Sequence, residues 1–425
     1  MPSPLTGHAP ADAPAVARWG DLVPALVGVV GLVVMGDLRL LPLVAVVWIL
    51  MWGAAVLVAP TPAGGAGRVF GAAVVVRALL LMSPATLSDD LYRYLWEGRV
   101  VAMGGNPYLH APADPVFADF FADPIRLLVN HPDVSTIYPP LALWLFAGLA
   151  TIAQHPLVVK AFMGLCDAAT AGVLAQILIG RRMPLRGAWL YALLPLAAVE
   201  SAGSGHLEAA AILCVVLAIR AWDRGGSGVG FAGLGALLKL LPGALMLGLM
   251  RRRPALVLLV LGLAVVSAMP FVPAGAAVGR GFSTYAQHWS FNGSVFPLVE
   301  AVFGELARPL CLVAGAAVTG WALLRRRDPA ELALWVGGAF VLLSPTVHPW
   351  YIPWVWVPAI VCGVRAWTVL AGLAPIAYVV LATTDPSTGA WQESRWPALV
   401  AYGSFAVVWI WDRMQGLVQP GPRRS

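Results

Sequence analysis

The sequence predicts an all-α, polytopic helical membrane protein, and three observations carry that prediction. Of its 425 residues, 60% are hydrophobic and only 11% charged, whereas an ordinary soluble domain carries about 25% charged residues. Mean hydropathy is +0.80. Apolar stretches recur from Leu22 to Trp411, and each runs for roughly 17 to 25 residues, about the length that spans a bilayer as a helix. They are apolar all round, as in Leu43 to Val58, whereas the strands of a membrane barrel alternate apolar and polar residues over about ten positions. A soluble globule and a barrel are both excluded.

Residues 1–20 come first. Pro2, Pro4, Pro10 and Pro14 among many alanines make them a flexible lead. The basic start and small-residue cleavage pattern of a signal peptide are missing, so Leu22 opens a retained helix. Spans at 22–36, 39–59 and 68–84 fill a first membrane block over 21–84. The long polar interruption at 85–136 is expected to be an external loop with short helices. Spans at 137–155, 157–180, 187–200, 206–222, 228–249, 254–272, 298–324, 329–345, 350–363, 366–384 and 396–412 then form a membrane body over 137–413, with 414–425 as a cytoplasmic tail. At about 20 apolar residues each, that makes about 12 to 14 crossings.

Charge sets the expected orientation. The loop at 85–136 holds seven acidic residues (Asp89, Asp90, Glu97, Asp114, Asp119, Asp123, Asp133) against three arginines (Arg93, Arg99, Arg126). It belongs outside if the short basic loops stay inside, which places both termini in the cytoplasm. From Arg251 onward the alternation is regular: Arg251 to Arg253, Arg325 to Arg327, Arg365 and Arg413 inside; 273–297, His348 and Asp385 to Glu393 outside. Between 137 and 250, simple crossings put Arg181, Arg182 and Arg186 outside and His206 inside, against the rule. A re-entrant or broken segment would repair this, and Lys239 to Pro242 is one place for a break.

The net charge of +6 and a pI near 9.4 would suggest nucleic acid in a soluble protein. Here the basic residues are short clusters between apolar spans, which suits a membrane surface instead. Nearly all of them are arginine, as in a GC-rich bacterial genome, so the expected location is a bacterial inner membrane. Cys166, Cys214, Cys311 and Cys362 lie far apart inside apolar segments, as core residues without metal or redox spacing. Gly203-Ser204-Gly205 lacks the rest of a dinucleotide fingerprint and no phosphate-loop motif occurs, which excludes ATP-driven transport within this chain.

The richest polar pattern runs Ser88-Asp89-Asp90-Leu91-Tyr92-Arg93-Tyr94-Leu95-Trp96-Glu97-Gly98-Arg99, then Gly104-Gly105-Asn106-Pro107-Tyr108, and later Tyr138-Pro139-Pro140-Leu141. Helical spacing puts Asp90, Tyr94 and Glu97 on one face and Asp89, Arg93 and Trp96 on the next. Two carboxylates where a membrane helix meets a polar segment place an acid or base at lipid head-group level. Asp89 and Asp90 as simple helix caps are the alternative.

This pattern resembles the first external loop of GT-C fold glycosyltransferases that use polyprenyl-phosphate mannose. It is similar to the bacterial α-mannosyltransferases of phosphatidylinositol mannoside and lipomannan synthesis and, more distantly, to the first GPI mannosyltransferase of eukaryotes. The resemblance implies a GT-C fold, with an Asp of this loop as catalytic base; Asp90 matches that position best and Asp89 second. The chemistry it implies asks an enzyme to deprotonate an acceptor hydroxyl, for which a placed carboxylate contributes about 10²–10⁴-fold, and to hold a departing phosphate with fixed cations. A phosphate monoester leaving group needs no divalent metal, so neither metal nor cofactor is expected.

Glu200-Ser201-Ala202-Gly203-Ser204-Gly205-His206-Leu207-Glu208 packs two carboxylates and an imidazole into a glycine-rich break. Ionisable groups at a membrane are functional candidates by default, although a polar loop with Glu208 at a helix start is the bland account. Lys239 stands mid-span before Pro242, either snorkelling or binding phosphate as in the similar Lys-x-Tyr-Pro segment of the relatives. Donor phosphate is expected at Lys239, His348, His206 and Arg93. Sugar or acceptor contacts are expected at Glu208, Tyr138, Tyr285, His288, Trp289 and Asn292, with an interfacial aromatic belt as the alternative for the aromatic clusters.

The expected function is transfer of a hexose, mannose first among them, from a polyprenyl phosphate to a lipid-linked or glycan acceptor at the external face of the membrane. A multi-pass lipid or solute transporter or flippase is the alternative, and it would be favoured by an internal repeat; the Asp89–Tyr108 pattern does not recur. An O-antigen ligase-like or polymerase-like enzyme would carry its large external loop late in the chain.

Overall fold

The computed structural model describes residues 19–84, 87–120, 122–385 and 391–416. The expected N-terminal lead up to residue 18 and the tail from 417 lie outside the described residues. Within them the chain is all-α: α1 (Val23–Met35), α2 (Pro42–Val58), α3 (Ala66–Leu80), α4 (Asp90–Ala102), α5 (Pro124–Leu127), α6 (Pro140–Ile152), α7 (Pro156–Gly180), α8 (Arg186–Leu193), α9 (Pro195–Ala198), α10 (Glu208–Asp223), α11 (Val229–Leu238), α12 (Pro242–Leu249), α13 (Leu256–Ala268), α14 (Arg280–His288), α15 (Phe296–Phe303), α16 (Ala307–Arg325), α17 (Pro329–Leu343), α18 (Pro353–Cys362), α19 (Ala366–Leu373) and α20 (Trp396–Met414). Pro42, Pro140, Pro156, Pro242, Pro329 and Pro353 each stand first in their helix. There the missing N–H has no intrahelical partner and the fixed φ suits the helix, so proline punctuates this apolar chain instead of disrupting it.

Four helical stretches among the described residues are long and apolar enough to cross a membrane: Pro156–Gly180, Leu256–His288, Phe296–Arg325 and Ala366–Thr383. Shorter apolar helices of 10–17 residues accompany them. A polar knot ties the interior. Arg77 on α3 donates to Asp167 on α7 at 2.6 Å, and Asp167 also accepts from Tyr191 and, at 3.2 Å, from Ser201. All four side chains are buried.

Contacts sort the helix ends into two sets. At one end, Lys160 near the start of α7 donates to the Leu80 and Ser83 carbonyls after α3, and Gly205 before α10 packs against Leu91 of α4 and Val159 of α7. Arg39, between α1 and α2, reaches Asp89 at 3.3 Å. At the other end, Arg181 after α7 pairs with Asp223 at the close of α10 (2.8 Å) and with Asp328 before α17 (3.0 Å). Arg186 donates to the Leu57 and Ala59 carbonyls at the end of α2, and Arg252 donates to the Trp222 and Gly226 carbonyls.

This arrangement corrects the expected span at 137–155. Tyr138 at the entry to α6 packs edge-on against Tyr94 of α4, 5.3 Å between rings, and only three residues separate the end of α6 from α7. Both ends of α6 therefore lie at the Asp90 end, and it lies along α4 instead of running the length of the bundle. The expected span at 228–249 is likewise two helices, α11 and α12, packed on each other with Lys239 at the bend. The span at 187–200 is broken by Pro195 and by a π-helical turn over Val199–Gly203.

Candidate active site

Asp90 is the first residue of α4, and it does not cap the helix. The preceding Asp89 makes no side-chain cap bond, and the Asp90 N–H is taken by the Ser88 hydroxyl at 3.3 Å. α4 is held close to α6 at Gly98, where a Cβ would lie 2.2 Å from the Phe146 carbonyl oxygen. The Asp90 side chain keeps 23% exposure. Its Oδ1 accepts from Asn130 Nδ2 at 2.7 Å, and its Oδ2 lies 4.0 Å from His206 Nε2. Burial alone would push this carboxyl up, but His206, the Asn130 bond and Lys239 outweigh it. The group sits below the usual carboxylate range and is ionised at neutral pH.

Asn130 belongs to a strap ordered by Arg93, whose guanidinium uses all five of its N–H groups: on Asn130 Oδ1 (3.1 Å), Glu97 (3.1 Å), the Val134 carbonyl (3.1 Å), the His131 carbonyl (2.8 Å) and the Asn130 carbonyl. Thr136 completes Glu97 at 2.7 Å. His131 adopts φ +45, a left-handed conformation uncommon outside glycine, and sets its ring 4.7 Å from Trp289. Arg93 thus has no donor left for a phosphate oxygen, which corrects its expected role: it shapes the strap that reaches Asp90.

The glycine-rich break supplies the facing wall. The π turn presents Glu200, whose carboxylate accepts from Tyr378 at 2.8 and 2.9 Å. Gly205 turns the chain at φ +75, a conformation that suits glycine, and aims His206 back over Glu200. His206 Nδ1 meets both the Glu200 carboxylate (3.1 Å) and its carbonyl (3.2 Å). His206 therefore stands between two carboxylates, Glu200 on Nδ1 and Asp90 on the side of Nε2.

Lys239 Nζ lies 2.9 Å from Glu208 and 5.3 Å from the centre of the Tyr138 ring, with its side chain 22% exposed. The rings of His206, Trp350, His348 and Phe291 stack in succession, 3.9, 4.2 and 5.0 Å apart. Burial pushes His348 down to about 3, so it meets a ligand as a neutral group. Tyr285 shares a 3.0 Å hydrogen bond with Tyr351, and Asn292 donates to the Val347 carbonyl at 3.2 Å.

Two further expected residues fall outside this group. Asp89 turns to Arg39 and is 41% exposed, and His288 is exposed with its ring on the Thr284 carbonyl. Trp289 joins only the rim, between His131 and Tyr285. Sequence reasoning missed Asn130, Tyr378 and the anchoring part of Glu200. Only Glu200 had a signal, as an acid inside a glycine-rich apolar break.

Neither a curated protein nor a solved structure matches the chain. Residues 136–345 contain Tyr138, Glu200, His206, Glu208, Lys239, Tyr285 and Asn292, and they fall between Asp90 and His348. Residues 136–345, just under half of the chain, match the model of Glycosyltransferase family 87, and together with the apolar helices this match supports a membrane glycosyltransferase.

Proposed function

We propose that the protein transfers a hexose, mannose in the first instance, from a polyprenyl phosphate to a lipid-linked or glycan acceptor at the external face of a bacterial inner membrane. The observation that carries this reading is Asp90. It is an ionised, partly exposed carboxylate, fixed on one oxygen by Asn130 and open on the other. In the reaction, the bond from the anomeric carbon to the phosphate oxygen breaks and its electron pair leaves with the phosphate. The acceptor oxygen bonds to the sugar and gives its proton to Asp90 Oδ2. Lys239 supplies the cation for the departing phosphate, and neutral His348 offers it a single N–H. The leaving group is a monoester, so these side chains suffice without a divalent metal.

The two sets of helix ends support the orientation. With the basic end in the cytoplasm, Arg181 and Arg186 join Arg252 inside while Asp90, His206 and His348 face out, as the positive-inside rule asks. The deciding experiment incubates purified protein with radiolabelled polyprenyl-phosphate mannose and total membrane lipids. A new labelled glycolipid is expected. Labelled donor moved across vesicles without any product would instead favour a transporter.

A further inference from the structure

Asp90 must lose the proton it gains before a second turnover, and its surroundings disfavour keeping it. We propose that His206 takes that proton from Asp90, with Glu200 and Tyr378 as the positioning residues that make His206 ready for it. The inference rests on the transferase reading above.

The geometry fixes the proton of the neutral imidazole on Nδ1. Nδ1 faces two oxygens of Glu200 at 3.1 and 3.2 Å, and neither can donate while the carboxylate is ionised, so Nδ1 carries the proton. Nε2 then presents its lone pair toward Asp90 Oδ2, 4.0 Å away. This atom is fully buried and has no hydrogen-bond partner among the described residues, in a side chain that is itself 1% exposed. Such orphaned groups are rare in folded proteins and mark a functional or ligand-binding position. An acceptor oxygen placed off the line between the two atoms would lie about 2.8 Å from each.

The ring cannot swing away. It stacks on Trp350 at 3.9 Å, and Glu200 is pinned by Tyr378 on a π turn, a distortion often found at functional sites. The charged and titratable groups facing His206 are Asp90 from α4, Glu200 on that turn, Glu208 from α10 and His348 from the link between α17 and α18. Asp90, Glu200 and Glu208 favour an imidazolium; His348 does not.

The step balances. After the acceptor O–H proton has moved to Asp90 and the product has left, it passes through a water entering the 4.0 Å gap to the Nε2 lone pair, which restores the Asp90 carboxylate and leaves an imidazolium paired with Glu200. That proton is then released to water, and His206 returns to its starting tautomer.

The test compares Glu200→Gln and Tyr378→Phe in the purified full-length protein, with melting temperature, KM for both substrates, and kcat across pH. In Glu200→Gln the imidazole loses its anionic partner. The expected kcat falls about 10- to 100-fold with both KM values unchanged, and the acid limb of the profile moves to lower pH. Tyr378→Phe frees the Glu200 carboxylate of its donor, so the same limb moves to higher pH, with a rate change below about 5-fold. Opposite shifts are not expected of two residues that merely hold the fold. An unmoved limb, shifts in one direction for both variants, or a loss confined to KM overturns the relay. If Glu200→Gln does not fold, Tyr378→Phe decides alone, and an unmoved limb overturns the proposal. Wild-type protein that transfers no sugar sinks the transferase reading as a whole, whereas active wild type with an indifferent Glu200→Gln sinks the relay only.

Discussion

Replacing Asn130 by alanine removes one hydrogen bond from one carboxylate oxygen, and the geometry sets what that is worth. Asn130 Nδ2 donates to Asp90 Oδ1 at 2.7 Å. A hydrogen bond to a charged group contributes about 1.5–3 kcal/mol, which corresponds to a roughly 10- to 150-fold loss of kcat/KM when the base must be ionised and oriented in the transition state. Without the bond, the Asp90 carboxyl loses one of the contacts that hold it down and rises. It starts below its ordinary value, so it remains ionised at pH 7, and raising the pH does not recover the rate. The loss is one of orientation. The assay is transfer of labelled sugar to membrane lipid with the donor varied, beside a thermal melt, because Asn130 Oδ1 also accepts from Arg93. Wild-type kcat/KM in Asn130→Ala alongside an inactive Asp90→Asn would refute the claim that the strap aims the base.

Asp90→Asn itself should lower turnover by about 10²–10⁴-fold or more with an unchanged melting temperature; near-full activity would dispose of Asp90 as base. Lys239→Ala and His348→Ala should raise KM for the donor more than for the acceptor, and the reverse ranking would remove both from the phosphate. Gly98→Ala forces a Cβ to within 2.2 Å of a backbone oxygen, so stability should fall by about 1–3 kcal/mol; a melt like that of wild type would mean that α4 and α6 separate freely. Activity should survive exhaustive chelation, and a strict Mn²⁺ requirement would refute the metal-free mechanism.

The helical membrane body was legible because it depends on local composition, and Asp90 draws notice in the sequence because it sits in a dense motif at the mouth of a polar loop. Roles that depend on distant partners were not legible. Arg93 looks like a phosphate ligand in sequence, yet its five donors are consumed by carbonyls and side chains 37 to 41 residues away and by Glu97. Asn130 stands in an unremarkable polar stretch and matters only because the strap folds back over α4. Tyr378 lies 178 residues from Glu200, inside a run whose hydrophobicity announces nothing but a span. Sequence locates an ionisable group that is costly to bury; only the fold tells which of its faces is already satisfied.

The same distinction explains the conflict between 137 and 250. Hydropathy measures whether a segment tolerates lipid, and α6, with Leu141, Leu143, Leu145 and Phe146, passes that test. It cannot measure where the segment ends. The Tyr94–Tyr138 contact and the three-residue link to α7 bring both ends of α6 to one end of the bundle. Counting α6 as a crossing therefore inverts every loop until the next error, which comes at Lys239, where α11 and α12 double back. Two miscounted segments cancel in overall parity, which is why the charge rule fails only between them and holds from Arg251 onward. The two departures are also the two places that bring Tyr138 and Lys239 to the Asp90 end. Irregular backbone at membrane depth survives where it lines a site or is buried in protein, so the segments that defeat a simple count of spans are those that border the Asp90 group.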